Sequence, residues 1–137
     1  MRLLARREYA VAELAQRLRS RGHDETLVAA VVDELQDEGL LSEERFVESF
    51  VRSRVERGAG PMKIEAELRQ RGVDTSRAEP HMAAVDWREQ ACEVYQQRFG
   101  NAEPPADRRE WSRRARFLQG RGFTAEQVRR VMDVDDL

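Results

Sequence analysis

The chain has 137 residues, is 40% hydrophobic and 36% charged, and carries a formal net charge of −2. That is apolar material enough for a core, so global disorder is excluded, as is a generic polycation made to coat nucleic acid. No apolar run reaches the ~18 residues of a membrane span, and the early charges of Met1-Arg2-Leu3-Leu4-Ala5-Arg6-Arg7 do not suit a signal peptide. One cysteine, Cys92, makes no internal disulfide, and the sequence reads as a soluble, cytoplasmic protein.

In chain order, the apolar periodicity predicts helices almost throughout. A short one is expected over residues 2–8, followed by a stripe of Val11, Leu14, Ala15 and Leu18. Leu27, Val28, Val31, Val32 and Leu35 mark the next, which ends at Gly39. Ser42-Glu43-Glu44-Arg45 opens a helix with Phe46, Val47, Phe50 and Val51 inward, and Gly58-Ala59-Gly60-Pro61 breaks it. Pro61 suits the first turn of its successor, which carries Ile64 and Leu68, and a shorter helix after Asp74 holds Ala78, Met82 and Val85. Asp86 is placed to cap a helix bearing Trp87, Ala91, Val94 and Tyr95, ending near Gly100. Residues 101–106, with Pro104-Pro105, form a loop before helices marked by Trp111, Ala115 and Leu118, then Val128, Val131 and Met132. No segment sustains strand alternation.

A repeat organises these elements. Leu18, Arg21 and Gly22 recur fifty residues on as Leu68, Arg71 and Gly72, and again as Leu118, Arg121 and Gly122. After each glycine comes a loop residue and then Asp24, Asp74 or Thr124, able to cap a helix. The glycine suits the left-handed end of one helix, and each repeated arginine sits in a last turn, where a cation complements the helix dipole. That structural role is favoured over direct partner contact. The fold class is therefore all-α: three tandem three-helix repeats over residues 1–39, 40–85 and 86–137. Each is too small to bury a core alone, so stacking into an elongated, curved array is expected.

Charge alternates along the chain. Residues 1–22 carry six basic and two acidic groups, and residues 23–44 carry eight acidic and no Lys or Arg. The net is +3 over 45–72, −4 over 73–107, +6 over 108–130 and −3 beyond. On this reading the first two helices of each module are basic on balance and the third is largely acidic. Such bands suit either pairing between neighbouring helices or a partner of mixed charge. All but one of the 24 basic residues are arginine, the exception being Lys63; a GC-rich genome accounts for the bias as a whole. Arg109, Arg113 and Arg116 fall opposite Trp111, Ala115 and Leu118 and form a solvent-facing stripe for phosphates or acidic protein groups. Arg52, Arg54 and Arg57, with Arg6 and Arg7, complete the candidate partner-binding residues.

Catalytic chemistry is sparse. His23 and His81 fall in different modules, and one cysteine with two histidines cannot supply a zinc set. His81 lies near Ala78 and Met82 and reads as partly buried and structural, and Cys92 reads as a packing residue. Neither a Gly-x-x-x-x-Gly-Lys-Ser/Thr loop nor a Gly-x-Gly-x-x-Gly occurs, and Gly58-x-Gly60-Pro61 opens a helix without a preceding strand. No enzyme activity, cofactor or metal is expected.

Leu4-Ala5-Arg6-Arg7-Glu8-Tyr9, Glu13-Leu14 and the Leu-x-x-Arg-Gly that follows resemble the opening of the RecX family. So do Leu40-Leu41-Ser42-Glu43-Glu44-Arg45-Phe46, Gly58-Ala59-Gly60-Pro61, Glu67-Leu68-x-x-Arg71-Gly72-Val73 and Arg116-Phe117-Leu118-x-x-Arg121-Gly122-Phe123. The resemblance spans nearly the whole chain in order, although the chain begins almost at the first motif. It implies three tandem three-helix repeats and a non-catalytic regulator that binds RecA recombinase filaments; a monomer is expected. Such a regulator suppresses strand exchange, ATP hydrolysis and the co-protease activity behind the SOS response. DNA would be met weakly or within the filament; the alternative is a protein that binds DNA directly through helix-turn-helix-like repeats.

Overall fold

Each Leu-x-x-Arg-Gly segment closes its helix in the same way. Gly22, Gly72 and Gly122 take φ of 90°, 75° and 102°. Their amides donate to Arg19, Arg69 and Gln119, while the amides of His23, Val73 and Phe123 reach back to Leu18, Leu68 and Leu118. This paired 6→1 and 5→2 bonding satisfies carbonyls that a helix end leaves open. Asp24, Asp74 and Thr124 then accept from the amides of Thr26, Ser76 and Gln127, so one helix stops and the next starts within a few residues.

The computed structural model describes residues 7–100 and 102–133. The helices are α1 (Val11–Ser20), α2 (Glu25–Asp37), α3 (Glu43–Glu56), α4 (Pro61–Gln70), α5 (Glu79–Ala83), α6 (Trp87–Phe99), α7 (Arg108–Gly120) and α8 (Ala125–Met132). A 3-10 turn, Thr75–Ala78, leads into α5. Among the described residues there is no strand, and the fold is all-α. Most of the helix expected over residues 2–8 lies outside the described residues, and Arg7 and Glu8 lie in no helix. The short helix expected through Val85 starts as a 3-10 turn and stops at Ala83. Pro80 sits in the first turn of α5, where its missing N–H costs nothing, and the amide of Val85 bonds only three residues back, to Met82.

Three cores follow one another along the chain. Leu14, Leu18, Val28, Val32, Leu35 and Leu41 fill the first. Phe46, Val47, Phe50, Ile64, Leu68 and Met82 fill the second. Ala91, Val94, Ala115, Leu118, Phe123 and Val128 fill the third. Burying one such aliphatic side chain contributes about 1.5–3 kcal/mol, so a module with so few is weak alone and depends on its joints. Ala10 packs into the second core from the first module, and Trp87 is shared by the second and third.

The repeated turns make those joints. A Cβ on Gly72 would lie 2.7 Å from Cβ of Ala12 in the first module, and one on Gly122 would lie 2.4 Å from Cβ of Lys63 in the second. Around Gly22 there is nothing within 4 Å among the described residues. The arginines follow suit. Arg71 sets Nε 3.7 Å from Oε2 of Glu13, and Arg121 donates from Nη1 to the carbonyl of Arg57 at 3.0 Å. Arg71 also donates from Nη1 to the Glu67 carbonyl in the last turn of its own helix at 3.2 Å, so besides complementing a helix end each of these two arginines reaches back to the module before its own.

Candidate interaction surface

The arginines of α7 divide by face. Arg109, Arg113 and Arg116 are exposed. Arg113 grips Glu110 at its Nε and Nη2 (2.9 and 2.7 Å), whereas Arg109 and Arg116 have no ion-pair partner among the described residues. Arg114, only 6% exposed, turns inward. It donates to Glu110 Oε1 at 2.9 Å, to the Tyr95 hydroxyl at 2.8 Å and to the Glu103 carbonyl at 2.9 Å. One side chain thereby ties α7 to α6 and to the loop between them. The two guanidinium groups hold the Glu110 carboxyl at about 2, Arg113 first and Arg114 second.

Of the other candidates, Arg52 is exposed and lies 3.6 Å from Glu48 one turn away. Arg54 points to Glu67, Nε to Oε2 at 2.6 Å, and lies 4.3 Å over the Phe50 ring, so packing and pairing occupy it. Arg57 is exposed and shares a cleft of about 180 Å³ with Arg54, Lys63, Glu67 and Arg121. Arg7 lies over the Tyr9 ring at 3.9 Å and 3.3 Å from Glu13. Arg6 is outside the described residues. The fold thus brings Arg54 and Arg57 to one cleft and places Arg52 in a separate groove with Val51, Val55 and Pro80. Sequence reasoning passed over Lys63 and Arg121 as partners of that cleft, although the fifty-residue register aligns them with Glu13 and Arg71.

The acidic band is real on α2. Asp33, Glu34, Asp37 and Glu38 are exposed and have no ion-pair partner among the described residues, while Glu25 is held by Arg19 at 2.6 Å. Four carboxylates near a helix C-terminus oppose its dipole. In the third module the alternation needs correction. α8 carries Arg129 and Arg130 against Glu126, so its own charge is basic. His81 is half-buried, with Nε2 2.7 Å from Oε1 of Glu44, and Cys92 is partly exposed on α6. Among the described residues no three His, Cys, Asp or Glu side chains converge to hold a metal, and no helix is long and apolar enough to cross a membrane.

Three family models match in tandem: the first three-helix domain of RecX over residues 1–35, the second over 42–79 and the third over 86–132. Regulatory protein RecX of Halorhodospira halophila is 58% identical over 131 residues, 94% of this chain and 81% of that one. Its counterpart from Chromohalobacter salexigens is 50% identical, over 96% of this chain and 87% of that one. A crystal structure of RecX from Lactobacillus salivarius superposes with a TM-score of 0.80 at 20% identity, covering 98% of this chain and 90% of that one.

Proposed function

The chain belongs to the RecX family, and from that premise we propose that it is a non-catalytic regulator that binds RecA–DNA filaments and inhibits their recombinase, ATPase and co-protease activities. The observation that carries the reading is the coexistence of two unpaired bands of opposite sign: Asp33, Glu34 and Asp37 on α2 with its C-cap Glu38, and Arg109 and Arg116 on α7. A filament of protein loaded with nucleic acid offers both basic protein groups and phosphates, and a bare duplex offers no use for the acidic band. Several weak contacts spread along tandem modules add through effective concentration, so no single one needs to be strong.

The test is ATP hydrolysis by RecA on single-stranded DNA, titrated with this protein. Dose-dependent inhibition is expected, and no inhibition up to molar excess refutes the reading. The exposed Arg109 and Arg116 also favour some direct contact with DNA. A gel shift without recombinase separates the two: tight, salt-steep binding to bare DNA would make DNA, not the filament, the primary partner.

A further inference from the structure

The two joints between modules are built alike, and their charges are not. At the first joint a carboxylate, Glu13, lies between two arginines: Oε2 is 3.3 Å from Arg7 Nη2 and 3.7 Å from Arg71 Nε. The residues fifty positions further on are Arg57, Lys63 and Arg121. The arginines are kept and the carboxylate is replaced by a lysine. The nearby Glu67 does not compensate, because its Oε2 is taken by Arg54 at 2.6 Å. Among the described residues no carboxylate pairs with Arg57, Lys63 or Arg121.

Packing holds these cations in place. Gly60 donates to the Arg121 carbonyl at 2.7 Å and Met62 to the Gly122 carbonyl at 2.9 Å, so the α3–α4 turn and the end of α7 are locked together. Arg121 is further fixed by its bond to the Arg57 carbonyl and lies 5.4 Å from the Phe117 ring. Between them remains the cleft of about 180 Å³, the space of about six waters. At the first joint an internal anion sits between the two arginines; at the second, the carboxylate that lines the cleft, Glu67, is engaged by Arg54, and among the described residues none pairs with Arg57, Lys63 or Arg121.

We propose that this cleft is an oxyanion site, and that it takes a backbone phosphate of a nucleic-acid strand where the first joint holds Glu13. This rests on the reading of the chain as a partner of a nucleic-acid-loaded filament. The cations arrive from three directions, the end of α3, the start of α4 and the end of α7. A tetrahedral phosphate offers acceptors to all of them, whereas a planar carboxylate serves two forks in its own plane.

The experiment uses a fluorescein-labelled oligothymidylate, read by anisotropy over a salt series, with the full chain and its Lys63→Glu and Arg57→Gln variants. Lys63→Glu gives the second joint the charge pattern of the first, so the fold is retained, as circular dichroism should record. Strand affinity should fall roughly ten- to a hundredfold, and the log–log salt slope should flatten by about 0.7 for each phosphate that is no longer neutralised. Arg57→Gln should show a smaller decrease in the same direction. Unchanged affinity and slope in both variants overturn the site, as does a wild-type chain that fails to hold the strand even at low salt. RecA ATPase assays run in parallel separate the two ideas. Inhibition abolished while strand affinity is unchanged means that the cleft takes a carboxylate of the recombinase, and the phosphate assignment falls. Wild-type protein that does not inhibit, while Lys63→Glu still releases the strand, refutes the filament reading and leaves the site standing.

Discussion

Gly60 and Gly122 meet across the second joint with no room for a side chain between them. A Cβ on Gly60 would lie 2.4 Å from the carbonyl carbon of Gly122, and one on Gly122 would lie 2.7 Å from the amide nitrogen of Lys63. Both obstacles are backbone, so neither can rotate away. Gly22 is the matched control, having φ of 90° against 102° for Gly122, with nothing within 4 Å among the described residues. Gly22→Ala should report backbone strain alone, about 1 kcal/mol. Gly122→Ala should cost about 1–3 kcal/mol more, seen as a lower urea midpoint. Equal losses would mean that the joint yields freely.

Arg114 and Arg113 are neighbours in sequence and should behave differently. Arg114→Met leaves the Tyr95 hydroxyl and the Glu103 carbonyl without their partner and should destabilise by about 2–4 kcal/mol. Arg113 is exposed, pairs with Glu110 on its own helix and lies 5.5 Å from the Phe99 ring, so Arg113→Ala should stay within about 1 kcal/mol. Thermal melts of the two variants give the comparison, and similar values would contradict the assigned role of Arg114.

The Glu110 carboxyl, held at about 2 against an ordinary 4.5, sets a sign for acid stability. A group depressed in the folded state contributes fully above its unfolded value and loses that contribution as pH falls through the folded one. Its share should be constant down to pH ~4.5 and vanish between there and ~2. Glu110→Gln should flatten that part of the decline in urea unfolding followed by pH. An identical pH profile would show that the two arginines hold no such charge.

Reversing Arg109, Arg113 and Arg116 together should weaken filament inhibition roughly ten- to a hundredfold at physiological salt, if each rim contact is worth about 0.5–1 kcal/mol. The helix should survive, since all three side chains point away from Ala115 and Leu118. Unaltered inhibition of the RecA ATPase would remove this stripe from the binding surface.

The fold was legible because its punctuation is local. Leu18-x-x-Arg21-Gly22 and its two copies specify a helix end through φ, and the Asp or Thr after each specifies the next start through one side-chain bond. What lies across a joint leaves no such mark. Nothing near Gly60 in sequence announces Gly122, because their meeting depends on how two modules sit together. Arg54 and Arg57 stand three residues apart on one charged segment, yet Arg54 is drawn inward by Glu67 on α4 and by the Phe50 ring. Arg114 was hidden in the same way, its burial decided by Tyr95 and the Glu103 loop rather than by the stripe on its own helix. The register did hold one clue to the cleft, the pairing of Glu13 with Lys63, which gains meaning only once Arg7 and Arg71 are seen around the carboxylate.

The second and third Arg-Gly turns both dock on residues earlier in the chain, Gly72 on Ala12 and Gly122 on Lys63. On the ribosome this gives the joints a direction. When the turn at residues 121–122 leaves the exit tunnel, the surface that receives it has already been synthesised, and so it was for residues 71–72. These two closures can therefore proceed in the order of translation, each on a module already outside, without waiting for a segment still to be made.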